Sequence, residues 1–217
     1  MVSALHLEMP DPLPVFTLEP HAQREWLRER LAQPVPTSVR MFSDGFRLPG
    51  REGRRTPAAV LVPIVNRPEG LTVLLTQRSD ALPDHAGQIS FPGGRVEADD
   101  ASPEAAALRE AQEEIGLQPA WVTTLGRLER YETSTGFVVT PVVGWIEPPF
   151  SLLPEPLEVA EAFEVPLAFL MEERNRQRHH RMMGEIRRDF FAIPYEERFI
   201  WGATAAMLIM LERTLRG

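Results

Sequence analysis

The sequence predicts an α/β fold in which a mixed β-sheet is sandwiched between helices, and three observations carry that prediction. Two largely apolar runs, AAVLVPIVN (58–66) and LTVLLTQR (71–78), flank a turn at Arg67-Pro68-Glu69-Gly70 and read as a hairpin of buried strands. SPEAAALREAQEEIG (102–116) has strong helix signals, and ATAAMLIMLERTL (203–215) reads as a second, mostly apolar helix. Strand and helix runs are mixed without regular βαβ alternation, which argues against an all-parallel sheet.

Taken in order, residues 1–20 carry four prolines and read as an irregular arm, followed by a short helix over 21–32, where Trp26, Leu27 and Leu31 recur at helical spacing. Residues 33–56 are rich in turn formers, so 1–55 reads as an N-terminal extension and 56–217 as the main domain. Within the hairpin, Pro63 predicts an edge strand or a bulge, because proline cannot donate to a ladder. QISF (88–91) reads as a short strand. In the helix that follows, Ser102 is placed to cap, Pro103 fits the first turn and Gly116 the stop. Residues 121–131 and 137–146 alternate like strands, and 148–156 is a proline-broken loop. Further strands are predicted at 159–165 and 186–193, with a short helix near 167–172.

Composition narrows the function. The 217 residues carry 31 acidic against 23 basic side chains, a net charge of −8, which disfavours wrapping of nucleic acid or an anionic membrane. All the basic residues are arginines, so a Schiff-base lysine and a Gly-Lys-Ser/Thr phosphate loop are excluded. With no cysteine there is no thiolate nucleophile and no zinc-thiolate site, in keeping with a reducing compartment. No apolar run reaches the roughly 18 residues that span a bilayer, and the N-terminus lacks the positive start of a secretory signal, so a cytoplasmic location is expected.

The chemistry concentrates behind Phe91-Pro92-Gly93-Gly94, a sharp turn at which backbone can approach a ligand or metal. At about 100° per residue, with Glu110 at zero, Glu113 falls near −60° and Glu114 near +40°. Three carboxylates are thus expected on one face, with Leu108, Ala111 and Ile115 as the anchoring stripe and Ala106 and Ala107 leaving headroom beside the acids. Like charges at this spacing repel, and a hard divalent cation, Mg²⁺ or Mn²⁺, would relieve them. Arg109 is positioned to pair with Glu97, Asp99 or Asp100 and brace the preceding loop.

Gly94, Arg109-Glu110, Glu113-Glu114 and Gly116-Leu117 resemble the Nudix box, Gly-x5-Glu-x7-Arg-Glu-U-x-Glu-Glu-x-Gly-U with U apolar. The loop is one residue longer than the pattern, and Asp100 stands in for the first box glutamate. Just upstream, Leu74, Leu75, Thr76, Arg78, Ser79, Gly87 and Phe91 to Gly94 are similar to the signature of the coenzyme A pyrophosphatase branch of that family, with Pro83 where many members have a basic residue. The C-terminal Trp201-Gly202-Ala203-Thr204 is a further likeness to this branch. The resemblance implies a Nudix fold and metal-dependent hydrolysis of the diphosphate of coenzyme A or its thioesters, giving 3′,5′-ADP and 4′-phosphopantetheine. It implies Glu110, Glu113, Glu114 and Arg109 in catalysis, Mg²⁺ or Mn²⁺ held by the three glutamates and Gly94, and Arg78, Ser79, Gly87, Phe91 and Gly93 around the substrate. A small-molecule partner is expected, and a homodimer fits the family habit. Two rival readings are an enzyme acting on ADP-ribose or another nucleoside diphosphate derivative, and an inactive Nudix-like module that binds a nucleotide or protein.

Weaker signals lie elsewhere. ERNRQRHHRMMGEIRR (173–188) reads first as a solvated charged loop with strand ends, and second as a patch recognising the 3′-phosphate or adenine. His85 reads as polar surface. Met207, Leu208, Met210 and Leu211 read as core or dimer contact, and Glu129 and Glu132 as surface or an extra carboxylate for the metals.

Overall fold

The computed structural model describes residues 11–34, 43–45, 48, 50–51, 53, 55–80, 86–183 and 186–217, so His85 and Pro83 lie outside the described residues. In chain order the elements are α1 (Pro20–Ala32), β1 (Thr56–Arg67), β2 (Gly70–Arg78), β3 (Ile89–Ser90), β4 (Gly93–Arg95), α2 (Pro103–Ile115), β5 (Val122–Arg127), β6 (Tyr131–Glu132) and β7 (Phe137–Ile146). They continue with β8 (Val159–Pro166), α3 (Leu167–Met171), β9 (Gln177–Met183), β10 (Ile186–Tyr195), β11 (Arg198–Trp201) and α4 (Gly202–Arg216).

The predicted hairpin forms, with Ile64 opposite Val73 and Arg67 opposite Gly70. β1 also runs parallel to β7, from Thr56 opposite Phe137 to Val65 opposite Ile146. The mixed sheet is ordered β3-β2-β1-β7-β5, with β4 on β1, β6 on β7 and β8 on β2. Pro63 is therefore on a central strand and not at an edge. Its missing N–H is tolerated because the antiparallel side of β1 is forked: β4 pairs with residues 58–60 and β2 with 64–67, which leaves Pro63 between the two ladders.

Strand alternation builds the two core layers. Val62 and Ile64 of β1, Val73 and Leu75 of β2, and Val143 and Trp145 of β7 pack on one face with α1, α3 and α4. Ala59, Leu61 and Val65, with Leu74, Val142 and Ile146, pack on the other face against α2. The Val, Leu and Ile side chains among them each contribute roughly 1.5–3 kcal/mol relative to exposure. The expected sandwich of helices about a mixed sheet is the observed one. Leu13, Val15, Leu27 and Leu31 of the N-terminal segment belong to the first layer, and Asp44 accepts from the hydroxyl of Tyr131 in β6. Met207, Leu208, Met210 and Leu211 are core residues.

The stretch 173–188, read as a solvated loop, instead contributes β9, which pairs with β10 and through it with β11 in a separate three-stranded sheet. Its charged side chains hid the alternation, because where both faces of a hairpin meet solvent arginine and histidine replace apolar residues without disturbing backbone pairing.

Candidate active site

Helix α2 begins and ends where its local chemistry dictates. The Ser102 hydroxyl accepts from the Ala105 N–H at 3.3 Å, Pro103 occupies the first turn, and Gly116 takes a left-handed conformation with φ of 68°. Its N–H donates to the Gln112 carbonyl at 2.9 Å, and Leu117 donates to Ala111 at 3.3 Å, so the last turn is closed by backbone alone.

The orientation of α2 differs from the expectation in one consequential way. Ala106 and Ala107 leave no headroom beside the acids: both are fully buried, packed with Ala59 and Leu61, while Leu108 sits at the edge of the layer. Alanines at the contact let the helix come close to β1, so the buried stripe is rotated toward the acidic face and takes Glu114 with it. Glu114 is 6% exposed, and Glu110 is mostly covered. The Glu113 side chain is 60% exposed and held at the rim by Arg109 at 2.9 Å. The three carboxylates therefore split into a covered pair and an outer member.

Two glycines make that pair fit. The Gly93 N–H donates to Glu114 Oε2 at 3.1 Å. A Cβ on Gly93, at φ 155°, would come within 2.4 Å of the Ala59 carbonyl oxygen, and one on Gly94 within 2.6 Å of the Glu110 carboxyl atoms. Only glycine allows β1, β4 and α2 to converge this closely.

Arg109 ties the loop to the helix. Its Nε and Nη2 donate to the two oxygens of Asp100 at 3.1 and 3.0 Å, Nη2 also donates to the Arg95 carbonyl at 3.0 Å, and Nη1 lies 3.0 Å from Glu110. Asp100 further accepts from the Glu97 N–H at 2.8 Å. Of the three carboxylates proposed as partners for Arg109, Asp100 makes the fork. The hydrogen bonds from Arg109, with that of the Glu97 N–H, hold the Asp100 carboxyl below its ordinary range, and the fork keeps Arg109 firmly cationic.

The covered pair behaves oppositely. Burial pushes the Glu114 carboxyl up to about 7; the Gly93 N–H draws it down, Glu110 and Glu158 repel it further upward, and Arg78 opposes them. Burial also raises Glu110 against the pull of Arg109, with Glu113 and Glu158 adding repulsion. Glu158 was not singled out in the sequence, and no local pattern marks it. It arrives through the 152–158 loop, which folds over the end of α2 as Leu153 donates to the Ile115 carbonyl at 2.8 Å and Glu155 to that of Glu114 at 2.9 Å. The Glu158 carbonyl then accepts from the Ser79 N–H at 2.8 Å, beside Arg78.

The other expected substrate contacts divide. The Nε of Arg78 is buried with no hydrogen-bond partner among the described residues, and its charge acts on Glu114. Ser79 is nearly buried at the same strand end. Gly87, at φ 69°, donates to the Arg78 carbonyl at 3.2 Å and shapes the turn. Phe91 is 2% exposed in the layer facing away from α2, so its side chain is a core element and offers no ligand surface. Leu74 and Leu75 are likewise core. Glu132 pairs with Arg55 at 3.8 Å.

Among the described residues no three His, Asp or Glu side chains converge as a ready-made metal cage. The donor chemistry nevertheless fits a hard divalent cation: Glu110 and Glu114 are covered oxygen donors whose ionisation is suppressed by burial, with Glu158 near enough to act on both and Glu113 on Glu110. Two clefts of about 470 and 500 Å³ lie elsewhere, one between residues 11–14, α1 and the C-terminus, the other beside Val96, Pro103 and Thr140. No helix among the described residues is long and apolar enough to cross a membrane.

The NUDIX domain model matches residues 55–183. The uncharacterized Nudix hydrolase NudL of Yersinia pestis (strain Pestoides F) is 39% identical over 186 residues, spanning 83% of this chain and 88% of the relative. NudL of Yersinia pseudotuberculosis serotype O:1b (strain IP 31758) gives the same figures. Among solved structures, a C. elegans Ap4A hydrolase binary complex matches with a TM-score of 0.45 and 22% identity, over 51% of this chain and 80% of that one. The M. Smegmatis Nudix hydrolase RenU matches with a TM-score of 0.45 and 26% identity, over 52% and 71%. A family match over more than half the chain and a relative of this similarity over most of its length lead to one conclusion: the chain belongs to the Nudix family of hydrolases.

Proposed function

We propose that this protein hydrolyses the diphosphate of coenzyme A or its thioesters, giving 3′,5′-ADP and (acyl-)4′-phosphopantetheine. The observation that carries the reading is the placement of Arg78 where its charge acts on Glu114, the more deeply covered member of the Glu110–Glu114 pair. Arg78 is the cation of the Leu74–Gly94 segment that resembles the coenzyme A branch, and it sits within electrostatic reach of the Glu114 carboxyl, which burial pushes up to about 7.

In the reaction, a water oxygen attacks one phosphorus of the diphosphate and the bridging P–O bond breaks, leaving two phosphate monoesters and releasing a proton. Glu110 and Glu114 would hold Mg²⁺ or Mn²⁺, with Glu113 at the rim and the Gly94 backbone beside them. When bound, such an ion neutralises charge on the diphosphate and lowers the pKa of water. Arg78 offsets charge on the phosphate oxygens as the bridging bond opens. Arg109, locked to Asp100, keeps Glu110 and the 95–100 loop in register. Glu158, exposed and close enough to raise both inner glutamates, is available to accept the proton from water.

The test is product analysis by liquid chromatography and mass spectrometry after incubation with coenzyme A, ADP-ribose or a diadenosine polyphosphate, each with Mg²⁺ or Mn²⁺ and a Glu114→Gln control. The expected result is 3′,5′-ADP and 4′-phosphopantetheine from coenzyme A, lost in the control. Turnover of ADP-ribose without cleavage of coenzyme A would overturn the substrate, and silence on all three would overturn catalysis.

A further inference from the structure

The three-stranded sheet β9–β11 presents an aromatic surface that the reaction chemistry does not use. Cross-strand register places His179 opposite Phe190, Arg181 opposite Arg188, and Trp201 opposite Ala192, all on one face. Four rings join across that face: His179 stacks on Phe190 with centroids 5.7 Å apart and 20° between planes, His179 meets Phe199 edge-on at 5.4 Å, and Phe190 meets Trp201 at 5.4 Å. Phe199 is 43% exposed. The opposite face turns Ile193 and Ile200 into the core.

Beyond Ile193 and Ile200 that second face is open too: Asp189 pairs there with Arg178 and Arg187, at 3.9 and 3.0 Å, and Phe191 is 39% exposed. Arg181 and Arg188 stand together on the aromatic face, a concentrated positive element on a chain of net charge −8. The sheet is tied to the active site's approach: the Thr204 hydroxyl, just after β11, donates to the Ile89 carbonyl at 2.9 Å, and Ile89 opens the strand that leads to Gly93 and Gly94.

We infer that this face, with its four-ring platform beside the Arg181–Arg188 pair, binds the 3′-phosphorylated adenosine end of the substrate, a reading that rests on the coenzyme A activity proposed above. Purines stack on aromatic faces without needing shape-specific contacts, and guanidinium groups pair with phosphate in a planar fork. The platform and the arginines together select a nucleoside carrying an additional phosphate over one that lacks it.

The test compares coenzyme A with dephospho-coenzyme A, which differ by the 3′-phosphate alone, in wild type and in Arg181→Ala/Arg188→Ala. The ratio of the two kcat/KM values is expected to favour coenzyme A in wild type and to fall about tenfold or more in the variant. An unchanged ratio, with coenzyme A still cleaved, overturns the subsite and leaves the activity standing. Binding of 3′,5′-ADP and 5′-ADP, titrated calorimetrically without metal, reads the subsite even if coenzyme A is not cleaved. Preference for 3′,5′-ADP, lost in the variant and weakened by Phe199→Ala, supports the inference, whereas equal affinities overturn it. Sedimentation showing that Phe199→Ala converts a dimer to a monomer without changing nucleotide preference would assign the face to a second copy instead.

Discussion

Strand β2 has a covered glutamate near each end, and the two are treated in opposite ways. Near its start, Glu164 accepts from Arg67 Nε at 3.0 Å and from the Thr72 hydroxyl. Burial would raise that carboxyl, but the hydrogen bonds from Arg67 and Thr72 outweigh it and hold it below the ordinary range. Near the other end, Glu114 is more deeply covered and among the described residues accepts from the Gly93 N–H, so burial prevails. A partnered buried acid is a structural element, whereas one left short of positive charge costs stability unless an external cation supplies it. The difference separates a paired acid of the sheet from a buried helix acid whose partners do not outweigh its burial.

The sharpest way to break the comparison is to neutralise each acid in turn. Glu114→Gln is expected to lower turnover on the order of 10²–10³-fold without destabilising the metal-free protein at neutral pH. Glu164→Gln is expected to leave turnover near wild type and to cost about 1–2 kcal/mol, the usual loss for a broken pair reduced by the partial exposure of Arg67. Steady-state rates and urea unfolding on the same preparations check the crossing. If both variants lose stability alike, the distinction between the two acids fails.

Gly94→Ala attacks the same pair through geometry. A methyl group there meets the Glu110 carboxyl within 2.6 Å, so that side chain must swing away. A loss of roughly 10²-fold in kcat is expected for a displacement of this kind, with a smaller change in melting temperature, measured by turnover and thermal unfolding.

The pH dependence gives a subtler contrast. Because the folded Glu114 carboxyl is raised to about 7, the native state binds more protons than the unfolded state between about pH 4.5 and 7. Its contribution therefore falls as pH rises through that window, by about 3 kcal/mol in all. The depressed carboxyl of Glu164 has the opposite sign, its stabilisation being present above the unfolded pKa and lost on acidification. Unfolding free energies of wild type minus Glu114→Gln, without metal, should decline over pH 5 to 7.5, and Mg²⁺ should flatten the slope. A flat difference without metal would remove Glu114 as an acid short of charge.

Much of this was legible because it is local. The Ser102 cap, the Gly116 stop, the hairpin and the carboxylate spacing are written within a few residues of one another, and each is observed. What the sequence concealed depended on distant chain. The rotation of α2 that buries Glu114 follows from alanines meeting β1, and a helical wheel carries no information about where the neighbouring backbone lies. Glu158 is delivered by backbone hydrogen bonds from a proline-broken loop, which leave no side-chain signature. β9 was masked by its charge, and Phe91 was implied as a ligand contact by a motif resemblance, which does not say to which face of the sheet its ring turns. Pro63 misled for a related reason: the fork between β2 and β4 is a property of three strands and not of one.

Asp100 gives the smallest and most discriminating effect, since it is an acid of the Glu164 kind placed inside the Glu114 region. Its two oxygens are satisfied by Arg109 and the Glu97 N–H, so its role is to hold Arg109 on the Arg95 carbonyl and beside Glu110. Asp100→Asn keeps the size but removes the charge and one acceptor, releasing Arg109 toward Glu110 and Glu113. An outer partner of this type changes apparent metal affinity by about tenfold, so the variant should need roughly ten times more Mg²⁺ for half-maximal rate while kcat at saturating metal changes little. Asp100→Glu, which retains the fork, should recover most of the affinity. If Asp100→Asn instead lowers kcat as severely as Glu114→Gln at every metal concentration, Asp100 belongs with the inner acids, and hydrogen-bond satisfaction does not separate the two kinds.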